Sequence, residues 1–261
     1  MKVTMADARL TFGGALRSEF LKLATLRGMW LVAGASVVLS AIVAGTTSHS
    51  QPEVGAEADW TVTTIAGAVV TSWVIVAVFA ALQATGEWTS GQFRVSFAVV
   101  PRRGLWLTAK AAALGIYAVV VSILVLLVST ALILPRYAEE GATIDWADAL
   151  TRQVFIGVPV VFLATAVTAV GIGSLVRSSG IAVTAVIGLL VVLPFAGLFG
   201  LSWLADITSY LPSGAGDSVV GSGAFGVAAE DLGVLAGLAV TFAWAIVAWG
   251  SALVSLNLRD A

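Results

Sequence analysis

The chain has 261 residues, 59% of them hydrophobic, with 13 basic and 15 acidic side chains that nearly cancel to a net charge of −2. So little charge leaves too little polar chain for a conventional soluble domain, and the absence of cysteine excludes disulfide frameworks, thiolate zinc sites and a cysteine nucleophile. Every charged side chain falls between six apolar stretches, which predicts an all-α, polytopic membrane protein forming one transmembrane domain over residues 1–261.

In chain order, Phe12, Leu16, Phe20, Leu23 and Leu26 recur at spacings of four and three, with Arg17, Glu19 and Lys22 on other faces. That pattern predicts a helix lying in the membrane interface rather than crossing it. Gly13 and Gly14 weaken its first turn, so its expected start is near Ala15. No signal-peptide pattern precedes the first apolar run, which is expected to remain as an anchor. The six spans are read as 29–47, 62–85, 111–134, 154–176, 181–204 and 233–256. Each is long enough for a helix to cross a hydrocarbon core of about 30 Å.

The connection from Gly86 to Lys110 exceeds the roughly 12 to 15 residues beyond which a connection usually carries structure or a task of its own. Within it, residues 90–100 predict a short helix with Phe93, Phe97 and Val100 on one face, ended by Pro101. Such a partly basic helix at the membrane surface suits docking into a partner's groove. Between the fourth and fifth spans lies Arg177-Ser178-Ser179-Gly180, a tight turn that makes an antiparallel helix pair. The connection 205–232 contains Tyr210, Pro212 and Ser213 in a glycine-rich run, followed by a moderately apolar stretch too short to cross. A re-entrant or interfacial hairpin and a flexible loop both fit it. Gly233 and Gly237 form a small-xxx-small pair that would let the sixth span pack closely.

With the N-terminus placed inside, Lys2, Arg9, Arg17, Lys22, Arg27, Arg94, Arg102, Arg103, Lys110, Arg177 and Arg259 are cytoplasmic, and only Arg136 and Arg152 lie outside. This positive-inside bias predicts that both termini are cytoplasmic. Trp30, Trp60, Trp88, Trp106, Trp146 and Trp203 fall near span ends, where amphipathic rings anchor helices at the headgroups.

No span contains Asp, Glu, Lys, Arg or His, the usual equipment of ion-driven carriers. Pro159 and Pro194 could break two spans for ion coordination, or form packed kinks. The lone His49 sits in a polar loop, and no glycine-rich phosphate loop is present, so the chain is not expected to be an enzyme. Gln83 is the one amide inside a span and is expected to bond between helices.

The long connection resembles the coupling-helix region of permease subunits in type-2 ATP-binding-cassette exporters. That family's succession of acid, glycine, arginine, proline, arginine and lysine falls here on Glu87, Gly91, Arg94, Pro101, Arg102 or Arg103, and Lys110. The likeness extends to the amphipathic N-terminal helix, the six spans, the arginine-containing turn at Arg177 and the Tyr-Leu-Pro segment before span six; Gln92 departs from the small or hydroxylated residue expected there. The resemblance implies a bacterial plasma-membrane permease that dimerises with itself or a close relative above two cytoplasmic ATPase subunits. ATP and magnesium would bind those subunits, and Glu87, Gly91, Arg94, Pro101, Arg102, Arg103, Lys110 and Arg177 would couple them to export of an amphipathic antibiotic, peptide or lipid-like compound. Membrane lipid is an expected partner and nucleic acid is not. A non-transporting scaffold or assembly protein, or a sodium- or proton-linked carrier, are the alternative readings.

Overall fold

Backbone N–H and C=O groups in hydrocarbon have no water to bond, and the chain satisfies them with helices. The computed structural model describes residues 11–47, 58–93, 95–96, 102–138, 144–196, 207–225 and 231–258, among which there is no strand. Helix α1 is Phe12–Thr25 and begins earlier than its glycines predict, because Thr11 caps it: its Oγ1 accepts the Gly14 N–H at 3.2 Å. Leu26 is extended and separates α1 from α2, Arg27–Thr47.

Helices α3, Ala58–Thr89, and α4, Arg103–Ala138, have 32 and 36 residues. At 1.5 Å per residue they are about 48 and 54 Å long, so they extend beyond a hydrocarbon core of about 30 Å. Both ends of the connection expected between residues 86 and 110 are therefore helical. Hydropathy marks where lipid ends, whereas the hydrogen-bond ladder continues until Gly91, at φ +71, turns the chain. Helix α5, Ala149–Val176, likewise starts ahead of its predicted span, since Asp148 accepts the Thr151 N–H at 2.8 Å and caps it.

Helix α6 begins as Ser179–Ile187, passes through a π-helical turn at Gly188–Val192 and continues as Leu193–Ala196. The wider turn precedes Pro194, whose ring would otherwise press on the carbonyl four residues back. Pro159 lies inside α5, which runs through it. Neither proline unwinds its helix. Helices α7, Pro212–Val220, and α8, Val234–Leu258, complete the described chain. Five helices, α2 to α5 and α8, are long and apolar enough to cross a bilayer. The predicted span 181–204 coincides with α6 and then runs into residues 197–206, outside the described ones.

Helix α5 is the hub: it packs against α3, α4, α6, α7 and α8. Apolar burial gives little drive inside lipid, which is as apolar as leucine, so close backbone approach and interhelical hydrogen bonds must hold such a bundle. The sequence supplies both. Gly171 faces Ala248 of α8 so closely that a Cβ there would lie 2.5 Å from its carbonyl carbon, and one at Gly173 would lie 2.8 Å from the Ala81 oxygen of α3. Mid-bundle, Trp73 Nε1 donates to Thr165 Oγ1 at 3.0 Å, and Ser72 pairs with Ser40 at 2.8 Å while donating to the Ser36 carbonyl.

The described part of the connection before α8 is not a loose loop. Helix α7 is buried between α5 and α8, with Pro212 at its first turn and Ser213 fully enclosed. Gly237 lies against α7, where a Cβ would sit 2.9 Å from the Ala215 oxygen, so its smallness is spent within the chain. Tyr210 is exposed, and its carbonyl accepts from Trp244 Nε1 at 2.8 Å. Trp244 is ten residues into α8, or about 15 Å from its start. Phe225 packs edge-on against Trp73, near the middle of α3. The described part of the segment is thus held against α3, α5 and α8 by protein contacts.

Replacing Gly171 by Ala should destabilise the folded protein by about 1–3 kcal/mol through overpacking of α5 on α8. Gly250→Ala, where a Cβ meets nothing within 4 Å, should not. Unfolding of the two variants in mild detergent checks this.

Candidate functional site

At one end of the bundle four charged side chains converge from three helices. The face of α1 turned to the protein is Ala15, Glu19 and Leu23, at spacings of four, with Lys22 beside it. Glu87 comes from the last turn of α3, and Lys110 from two turns into α4. Lys110 Nζ lies 2.7 Å from Glu87 Oε1 and 3.0 Å from Glu19 Oε2. Lys22 Nζ lies 2.6 Å from Glu19 Oε1 and 3.1 Å from Glu87 Oε1. Ser96, in the connection beyond Gly91, donates to Glu87 Oε2 at 2.9 Å and ties that segment to the cluster.

Glu19, Glu87 and Lys110 are each no more than 6% exposed, and Lys22 is half-buried. Moving one charge out of water costs several kcal/mol unless it is paired with good geometry. Here each carboxylate meets two ammonium groups, and the set sums to zero. The arrangement can clamp three helices together and offers no free base. Burial alone would lower the Lys22 pKa, but the Glu19 and Glu87 carboxylates outweigh it and hold the ammonium above its ordinary value.

The expected α1 lay in the interface with Glu19 away from its apolar face, and the structure turns that Glu19 face toward the protein. Phe12 and Arg17 are exposed, Leu16 and Phe20 half-buried, and only Leu23 of that set is buried. Glu19 goes inward because Lys110 and Lys22 neutralise it. Its signal in the sequence was its position four residues from both Ala15 and Leu23, on one helical face. Glu87 and Lys110 were singled out by sequence, yet their described partners are one another, α1, Ser96 and the Trp106 ring, all within this chain.

A second junction adjoins the first. The Trp88 ring stacks on Phe93 at 4.6 Å and meets Trp106 edge-on at 6.4 Å, and the Arg177 guanidinium lies 4.1 Å from its centroid. Gly91 makes this possible by reversing the chain after α3. Arg177 caps α5 with φ 58, a left-handed conformation that few non-glycine residues adopt. Beside it, Thr85 and Ser179 bond at 2.9 Å and join α3 to the start of α6. Arg103 donates to the Leu256 carbonyl in the last turn of α8, whereas Arg102 is exposed. The short helix expected over residues 90–100 is represented by one turn, Ser96 N–H to the Gln92 carbonyl at 3.0 Å; Arg94 and Pro101, with residues 97–100, lie outside the described residues.

The structure therefore gathers Lys22, Glu87, Gly91, Arg102, Arg103, Lys110 and Arg177 at one end. Tyr210, Pro212 and Ser213 belong to the segment before α8, away from that end. The chain matches no protein-family model, and no curated protein is detectably similar to it.

Lys110→Met should cost about 3–5 kcal/mol, the penalty of leaving buried carboxylates short of a partner. Glu87→Gln combined with Lys110→Met, which keeps the cluster neutral, should cost less than Lys110→Met alone; equilibrium unfolding of both variants tests the difference. Because the folded pKa of Lys22 is raised, its contribution to docking is complete below the unfolded value near 10.5 and is lost as pH rises through the higher folded value. Spin labels at Arg17→Cys and Ile116→Cys, in a chain with no other cysteine, should report α1 staying in place at neutral pH and moving away as pH rises through that alkaline window.

Proposed function

We propose that this chain is the membrane-spanning subunit of an ATP-binding-cassette exporter in a bacterial plasma membrane. It would work as a pair with itself or a close relative, with both termini cytoplasmic and two separate ATPase subunits bound at the end that carries the ion cluster. The observation that carries the reading is the anchoring of the α3–α4 connection. Through Trp88, Phe93 and Ser96 it is fixed to α1, α4 and the α5–α6 turn, so a push on that connection moves most of the bundle together.

Force would enter at the connection when nucleotide draws the ATPases together. Helix α5, in contact with five other helices, would carry it through the membrane and convert an inward-facing cavity between two copies into an outward-releasing one. Glu87, Lys110, Arg103 and Arg177 act in this scheme from within the chain, as parts of the lever. Direct contact with acidic groups on the ATPase falls to exposed basic residues, Arg102 and Arg17 among those described. The apolar spans suit an amphipathic antibiotic, peptide or lipid-like cargo.

Purification of the tagged chain from native membranes should recover an ATPase subunit at one-to-one stoichiometry, identified by mass spectrometry. Arg102→Glu should lower that recovery by about tenfold or more by placing like charges opposite one another. Trp88→Leu should leave the ATPase bound and hydrolysing while transport falls. Recovery of the folded chain always alone would refute the proposal.

A further inference from the structure

A cavity of about 350 Å³ opens beside the ion cluster, between α1, α3 and α4, with Glu19, Lys22, Glu87 and Lys110 in its wall. Gln83, half-buried, and Gln92, exposed, line it too, and among the described residues neither side-chain amide has a hydrogen-bond partner in the protein. Gln83 was expected to bond a neighbouring helix. It faces the cavity instead, half-buried, within the predicted span 62–85. The rim carries Leu26 and Leu82, both about 40% exposed, on the flank of the bundle rather than in its core. Two idle amides, a compensated set of charges and an apolar lip at the edge of the membrane describe a site for something polar at one end and greasy at the other.

We propose that the cavity holds the headgroup of a phospholipid bearing a primary ammonium, a phosphatidylethanolamine, with its acyl chains lying over Leu26 and Leu82. The four charges sum to zero, so a net anionic headgroup gains little by entering, whereas a headgroup with one positive and one negative group can answer both signs. An ionised carboxylate has about four acceptor sites. Glu19 uses two, on Lys22 and Lys110, and keeps the rest for an incoming N–H. The Gln83 and Gln92 amides donate to the phosphate oxygens, beside the half-exposed Lys22 ammonium. A quaternary choline ammonium has no N–H to give. The volume lies at the small end of the 300–1,000 Å³ usual for ligand sites, enough for a headgroup and not for a whole lipid.

The test reconstitutes the full chain in vesicles of equal phosphatidylethanolamine, phosphatidylcholine and phosphatidylglycerol, extracts it in mild detergent and identifies the retained lipid by native mass spectrometry. Ethanolamine lipid should be retained over both others, and retention should fall stepwise as its nitrogen carries one, two and three methyl groups. Gln83→Leu and Gln92→Leu, which leave the charges untouched, should each lower retention by about fivefold, the loss of one neutral hydrogen bond. Equal retention of the three lipids, or preference for the glycerol lipid, overturns the proposal. So does an ethanolamine preference that survives both substitutions, because the lipid would then sit elsewhere. Should a leucine variant fail to insert, the methylation series on the unaltered chain decides alone.

Discussion

Charge buried at the edge of a bilayer is tolerated only beside its opposite, and the organisation of one end of this protein follows from that constraint. Two of the chain's three lysines and two glutamates meet there, each unable to remain buried without the others. The consequence for the fold is geometric. A short amphipathic helix that could have floated in the interface is pinned to α3 and α4, and the connection between those helices is pinned to it through Ser96.

The middle of the bundle obeys a different constraint. Lipid competes equally for leucine and valine, so specificity there rests on how near two backbones can come and on a few hydroxyl and indole hydrogen bonds worth about 0.6 kcal/mol each. Gly171 and Gly173 let α5 touch α8 and α3, and Trp73–Thr165 fixes their register. The charged end and the middle of the bundle are thus held by different means, strong and directional ion pairs at the one and close backbone contact in the other.

The sequence was legible where one physical signal dominated. Hydropathy located the five long helices because nothing else in a chain selects for such runs, and it was silent on how far most of them continue because helices do not stop where lipid does. The proline in the fifth predicted span was read as a break or a kink; it produced a π turn, since the neighbouring ladder could widen. The composition of 205–232 left a re-entrant hairpin and a flexible loop equally open. What packs its described part against the protein, the Tyr210 carbonyl meeting Trp244 and Gly237 meeting Ala215, joins residues more than twenty positions apart and leaves no local mark. For Glu19 the local mark was its place on one face with Ala15 and Leu23, but nothing near it announces Lys110, its partner. Gln83, assigned to bond another helix by its type, faces a cavity because α1 approaches α3 through charges further along and leaves room behind them.

The order in which the ion cluster is assembled carries a consequence for biogenesis. A ribosome delivers Glu19 and Lys22 together, and they neutralise one another three residues apart as α1 forms. Glu87 follows after two membrane helices and leaves the partial assembly one negative charge in excess, until Lys110 emerges with α4 and restores balance. Helices α1 and α3 therefore have no fully compensated way to bring their charged ends together before α4 arrives. Synthesis from the N-terminus thus completes this joint only as α4 is inserted.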